Sequence, residues 1–191
     1  MPPALIIVDV QKAIDQPFWS KVGPRNNPLA ETRMAQLLVA WREHGFPIIH
    51  IRHDSVEPDS TYKPGQPGHE IKAEVTPLPR ETIIAKPTGS AFVHTSLEQH
   101  LKESGIATLV VCGVITNNSV DTTVRHAGDL GFQTYLVEDA CFTFARRDWC
   151  GVVRSAEEIH AMSLANLDGE YCEVTSTDQV IQRFCVAGND R

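Results

Sequence analysis

Apolar residues along this chain fall into short runs separated by polar, glycine-containing stretches. Six segments, Ala4–Asp9, Pro47–Arg52, Thr82–Lys86, Ala107–Gly113, Gln133–Glu138 and Tyr171–Val174, are near-continuously apolar, as expected of strands covered on both faces in a parallel sheet. Between them the period changes. Met34, Leu37, Leu38 and Trp41 recur at i, i+3, i+4 and i+7, with Gly45 just beyond, which predicts an amphipathic helix closed by a glycine stop. Val120, Val124 and Ala127 predict a second such helix after the fourth strand. Thr95 with Glu98 and Ser155 with Glu158 read S/T-x-x-E, the capping box in which each end satisfies an orphan backbone donor of the other. Gly105 and Gly131 predict further helix ends.

Strand and helix thus alternate. Right-handed crossovers then give an α/β fold, a three-layer α-β-α sandwich around a central, mostly parallel six-stranded sheet of Rossmann-like type. Residues Asp54–Pro79 interrupt the alternation with five prolines and two glycines, a long irregular excursion of the kind that often carries function. No internal repeat or composition shift marks a boundary, so residues 1–191 are expected to form one domain.

Composition narrows the function. A chain 42% hydrophobic and 21% charged is neither disordered nor fibrous. With 17 Lys and Arg against 24 Asp and Glu, its net charge of −7 argues against nucleic acid or an anionic membrane as partner and leaves a small molecule. The longest apolar runs, Ala4–Val8 and Thr108–Cys112, fall far short of the roughly 20 residues that span a bilayer. The Met-Pro-Pro start lacks the pattern of an export signal, so a cytoplasmic location is expected. Five cysteines, Cys112, Cys141, Cys150, Cys172 and Cys185, are odd in number and form no C-x-x-C pair, which predicts buried free thiols and neither disulfides nor a zinc site.

In an open parallel sheet, ligands bind beyond the carboxyl ends of the strands. That rule selects Asp9 after the first strand, Lys86 at the end of the third and Gly113–Ser119 after the fourth. The dinucleotide, P-loop and nucleophile-elbow signatures are all missing. Instead a glycine-containing turn delivers Ser119 to the start of a helix, where free amides favour negative charge and a side chain could act as nucleophile.

Four ordered motifs carry a resemblance. Asp9-Val10-Gln11, Lys86 followed by Ser90-Ala91-Phe92, Gly113-Val114-Ile115-Thr116-Asn117-Asn118-Ser119-Val120 and Glu138-Asp139-Ala140-Cys141 together resemble, in order and spacing over nearly the whole chain, the isochorismatase-like cysteine hydrolases, among them nicotinamidases and N-carbamoylsarcosine amidase. The resemblance implies a triad whose first two members are Asp9 as general base and acid and Lys86 as the cation holding it in register. It implies a cis peptide between Val114 and Ile115, with the amides of Ile115 and Ser119 forming an oxyanion hole. The family nucleophile is a cysteine, and here that position is Ser119. Three explanations follow: an engineered Cys-to-Ser change, a natural member using Ser119, or a member needing no nucleophile, as in the true isochorismatases, which hydrolyse a vinyl ether with the aspartate as acid. A catalytically dead member that only binds a small carbonyl ligand is a further alternative.

The expected function is a hydrolase acting on a small amide or related C–N bond, without cofactor, as a homo-oligomer, dimer or tetramer. The metal site of nicotinamidases, an Asp-x-His pair after the second strand, is not matched by His50-Ile51-Arg52-His53-Asp54, and His69 stands alone in the proline-rich stretch, so no metal is expected. His50 and His53, three apart on a strand, should face opposite ways. Candidate pocket residues are Gln11, Phe18, Trp19, Phe92 and Trp149, with Phe142 and Phe144 on the same edge. Arg146 and Arg147 read first as an exposed cluster and second as a carboxylate clamp.

Overall fold

A computed structural model describes residues 1–186. Six strands form one parallel sheet in the order β3-β2-β1-β4-β5-β8: β1 (Ala4–Val8), β2 (Ile48–His53), β3 (Thr82–Lys86), β4 (Thr108–Val114), β5 (Gln133–Phe142) and β8 (Glu173–Thr175). Helices α1 (Ala30–His44), α2 (Leu97–Glu103), α3 (Asp121–Asp129), α4 (Ala156–Ala165) and α5 (Thr177–Ile181) flank it, completing the three-layer α-β-α sandwich. The central strands are near-continuously apolar because both faces are covered: Ala4 to Val8 and Leu109 to Val111 are at most 1% exposed. No helix among the described residues is long and apolar enough to cross a membrane.

Strand order runs one way from β1 through β2 to β3 and the other way from β4 through β5 to β8. It therefore reverses between β1 and β4, and a crevice opens there at the carboxyl edge. Gly113 sets how closely these two strands meet: its φ is +130°, and a Cβ on it would lie 2.3 Å from the Val8 carbonyl oxygen. Only glycine fits.

Met34, Leu37, Leu38 and Trp41 form the buried face of α1, which Gly45 ends at φ +64°. Ser155 and Glu158 make the capping box of α4. Thr95 and Glu98 make none. The Thr95 hydroxyl donates to the Ala91 carbonyl instead, α2 begins only at Leu97 after Ser96, and Glu98 pairs with Lys102 one turn on. Strand β5 runs four residues beyond its expected end because its register with β4 shifts, from Val111 opposite Leu136 to Gly113 opposite Cys141. The Glu138–Cys141 motif is that irregularity. Asn27 Nδ2 ties it off by donating to the carbonyls of Glu138 (2.9 Å) and Cys141 (2.7 Å), and the Asp139 carboxylate accepts the amide and hydroxyl of Thr177.

Between β5 and α4 the chain forms a two-strand antiparallel hairpin, β6 (Arg146–Arg147) and β7 (Val153–Arg154). Residues 54–79 form no sheet strand. They contain two 3₁₀ turns, Pro67–His69 and Ala73–Val75, and return across the carboxyl edge, where Ile71 pairs with Gln11.

Candidate functional site

Asp9, Lys86 and Ser119 come from three strand ends and meet at the crevice. Lys86 Nζ donates to Asp9 Oδ2 at 2.7 Å, to Ser119 Oγ at 3.3 Å and to the Thr88 carbonyl at 2.9 Å. Its side chain is fully buried, so all three ammonium protons need acceptors within the protein. Asp9 occupies the left-handed region at φ +55°, a conformation costing about 1 kcal/mol that a short polar side chain tolerates. Its Oδ2 takes the lysine, while the buried Oδ1 has no protein partner among the described residues. Burial pushes the Asp9 pKa up, and the charge and hydrogen bond of Lys86 offset this only in part.

Ser119 is not the first residue of the helix. It lies within a wide helical turn, Thr116–Val120, kinked at Asn117, that leads into α3. Two bridges fix this turn: the Thr116 hydroxyl to His160 Nδ1 at 2.8 Å, and the Thr143 hydroxyl to Asn117 Oδ1 at 2.5 Å. The preceding peptide bond, Val114–Ile115, is cis.

A cavity of about 490 Å³ opens above these groups. It is lined by Asp9, Ser119, Val114, Ile115, Ile14 and Asn118, by Phe18 and Trp19, by His53, and by Asp59 to Tyr62 and Gly89. Trp19 stacks on Phe144 (6.3 Å) and meets Tyr62 edge-on (6.2 Å). Burial pushes the Tyr62 phenol well above its ordinary value, and the Asp9 and Asp15 carboxylates act the same way, so the hydroxyl stays neutral. Burial pushes His53 down, against the pull of Asp9.

Phe18 and Trp19 thus line the cavity, whereas three other candidates do not. Gln11 is fully buried: its side chain accepts from the His53 amide (2.7 Å) and donates to the carbonyls of His53 and His69, holding the β2 end and the long loop together. Phe92 stacks on Phe132 in the core at 5.9 Å. Trp149 is fully exposed in the β6–β7 hairpin, which carries it out into solvent. Arg146 and Arg147 are exposed there too. Cys150 is exposed, while the four other cysteines are buried.

His50 and His53 do face apart: His50 pairs with Glu81 in the interior and His53 faces the cavity. His53, Tyr62 and residues 59–61 were missing from the sequence-based pocket. The signal that could have found Tyr62 is that it is the one aromatic in the Asp54–Pro79 stretch.

His69 does not stand alone. Its Nε2 contacts Asp54 Oδ1 at 2.7 Å, and both Asp54 oxygens also accept the Arg52 guanidinium. A metal does not fit between them, because the Asp54 carboxylate that would bind it already holds the Arg52 guanidinium. No cluster of three or more potential metal-ligating side chains occurs among the described residues.

The isochorismatase domain model matches residues 3–179. An uncharacterized isochorismatase family protein of Bacillus subtilis, YrdC, is 44% identical over 181 residues, covering 95% of each chain. A streptothricin hydrolase of Streptomyces noursei is 35% identical over 141 residues, covering 74% of this chain and 54% of its own. The crystal structure of an isochorismatase family protein from Chromobacterium violaceum superposes with a TM-score of 0.93 at 57% identity, covering 98% of this chain and 94% of the other.

Proposed function

Because the chain belongs to the isochorismatase family, a family of hydrolases, we propose that it is a metal-independent hydrolase of a small amide or related C–N bond, with Asp9, Lys86 and Ser119 as its triad. One observation carries this reading: a single buried ammonium touches both the Asp9 carboxylate and the Ser119 hydroxyl, while the other Asp9 oxygen stays unpartnered beside the cavity.

Ser119 Oγ attacks the carbonyl carbon and its proton passes to Asp9. Burial makes Asp9 a stronger base than an ordinary carboxylate. The Lys86 charge stabilises the developing alkoxide, and the amides of Ile115 and Ser119 receive the oxyanion, each such donor being worth about 3 kcal/mol in the transition state. As the C–N bond breaks, the leaving amine takes the proton from Asp9. Water then attacks the acyl ester, gives a proton to Asp9 and regenerates Ser119, releasing the acid.

A serine hydroxyl is far less acidic than a thiol, so the same site turns over faster with a thiolate. The test is a kinetic comparison in chelator-dialysed buffer, on carboxamides, ureas and isochorismate, of the Ser119 protein, Ser119→Cys and Ser119→Cys with Lys86→Ala. Orders-of-magnitude faster amide turnover for the cysteine form, abolished by Lys86→Ala, is expected. Activity that requires added zinc or manganese would remove metal independence. A vinyl ether hydrolase is the second reading, favoured by the raised pKa of Asp9, which alone would serve as its acid. Equal cleavage of isochorismate by both forms would select it. The protein acts as one domain over residues 1–191 in the cytoplasm. Exposed Trp149, Val152, Val153 and Met162 on the hairpin and α4 support a homo-oligomer.

A further inference from the structure

The walls of the cavity bear on what can enter it. Two carboxylates line it, Asp9 and Asp59, and no lysine or arginine does so among the described residues. Lys86, on the far side of Asp9, is fully buried with its protons on Asp9, Thr88 and Ser119. It balances Asp9 and offers nothing to a ligand's far end. His53 is held toward its neutral form, as is Tyr62. Arg25 is clamped by both oxygens of Glu31 at 2.6 Å over the Phe142 ring. Lys21 lies 4.7 Å over Phe18. With Arg146 it belongs to a separate hollow of about 210 Å³ that shares Phe18, Trp19 and Ile115 with the cavity.

We infer that the cavity selects amides whose far end carries an ammonium group, held by Asp59 and by the Trp19 and Tyr62 rings, and rejects amides ending in a carboxylate. This rests on the hydrolase reading above. A carboxylate at that end would meet Asp59 with no counterion. An ammonium would meet an opposite charge and aromatic rings, which attract cations through their quadrupoles. The position of Asp59 on the exposed loop leaves its field open to screening, so the preference should weaken as salt rises.

The probes are three matched primary amides, 6-aminohexanamide, hexanamide and adipic acid monoamide. They are compared by kcat/KM on the Ser119 protein and on Ser119→Cys, and by calorimetric binding to the Ser119 protein. At low ionic strength we expect the cationic amide to exceed the anionic one at least tenfold. Asp59→Asn should bring the ratio below about threefold and Asp59→Lys should invert it, with hexanamide as the reference within each variant. If no amide is turned over by either form, the hydrolase reading fails, and binding still reports the charge preference. Equal binding, no binding, or tighter binding of the carboxylate overturns the inference. In the last case Lys21→Ala and Arg146→Ala would show whether the neighbouring hollow receives that end.

Discussion

Glu81 and Asp9 are carboxylates at opposite edges of the same sheet, each packed against a cation. Glu81 precedes β3 at the amino edge. Its two oxygens accept Arg42 Nε (2.7 Å) and Nη2 (3.0 Å), the Leu78 amide (2.9 Å) and His50 Nε2 (2.9 Å). Burial pushes its pKa up, but the hydrogen bonds from Arg42, Leu78 and His50 outweigh this and hold it at about 2. Asp9 follows β1 at the carboxyl edge, with one oxygen paired to Lys86 and one without a partner, and its pKa is raised. Burial raises both, and the difference lies in how deep it is at Asp9 and in how many donors meet each carboxylate to offset it. A saturated carboxylate holds its charge and the structure; one left half-satisfied beside a cavity can take up a proton.

Removing Asp9 should break this contrast most severely. Asp9→Asn is expected to lower turnover at least a thousandfold, about 4 kcal/mol, and to destabilise the fold by about 3–5 kcal/mol by leaving the buried Lys86 ammonium without a counterion. Asp9→Asn combined with Lys86→Met should recover most of that stability and none of the activity, since it removes both buried charges while asparagine still tolerates the left-handed backbone at residue 9. Denaturant unfolding and kinetics on the same preparations decide the point. A double variant no more stable than the single one would make the pair a structural element of the same kind as Glu81 and Arg42.

The converse holds at the amino edge. Glu81→Gln should cost about 2–3 kcal/mol at pH 7 and leave turnover within about twofold. The sign follows from a folded-state pKa of about 2 below an ordinary value of 4.5. The contribution is present above about pH 4.5 and is lost as pH falls toward 2, because the unfolded chain binds the proton first. Chemical denaturation of both proteins at pH 7 and at steps down to pH 2.5 should therefore show the gap closing. A constant gap would mean that packing, not charge, is what the glutamine disturbs.

The two edges also differed in how readily they could be read from the sequence. Strands β1, β2, β4 and β5 and helix α1 were legible because burial on both faces leaves a continuous apolar run and burial along one helical stripe leaves a period. Edge strand β3, by contrast, is covered on one face only, with Ile83 and Ala85 exposed. Asp9, Lys86 and Ser119 were legible as candidates because each sits at a strand end in a recognisable motif. Phe18 and Trp19, which follow the first strand, were legible as cavity residues by the same edge rule, but the wall contributed by the long loop was not. Asp59 to Tyr62 reach the cavity only because residues 54–79 fold back through the Gln11–Ile71 pairing and the Gln11 bonds to His53 and His69, and such contacts between distant segments leave no period. Phe92 and Trp149 failed for the opposite reason: their position on the correct edge said nothing about whether the ring points into the core, the cavity or solvent.

The smallest expected effect is the most selective. Thr143 and Thr134 both lie on or next to β5, and both are buried. Thr143, just past the carboxyl end, gives its hydroxyl proton to Asn117 in the turn that bears Ser119, while its amide is held independently by Asn26 (2.8 Å). Thr134, near the amino end, donates only to the Phe132 carbonyl (3.2 Å). Threonine-to-valine keeps the shape and deletes one hydrogen bond, so each variant should lose about 1 kcal/mol of stability. Only Thr143→Val frees one of the two anchors of the Ser119 turn, because Thr116 and His160 remain as the other. Its kcat should fall about tenfold with KM little changed, the pattern of an interaction felt in the transition state, whereas Thr134→Val should keep wild-type kinetics. Equal kinetic losses in both would mean that the turn responds to general loosening of β5, and the contrast between the two edges would then be one of stability alone.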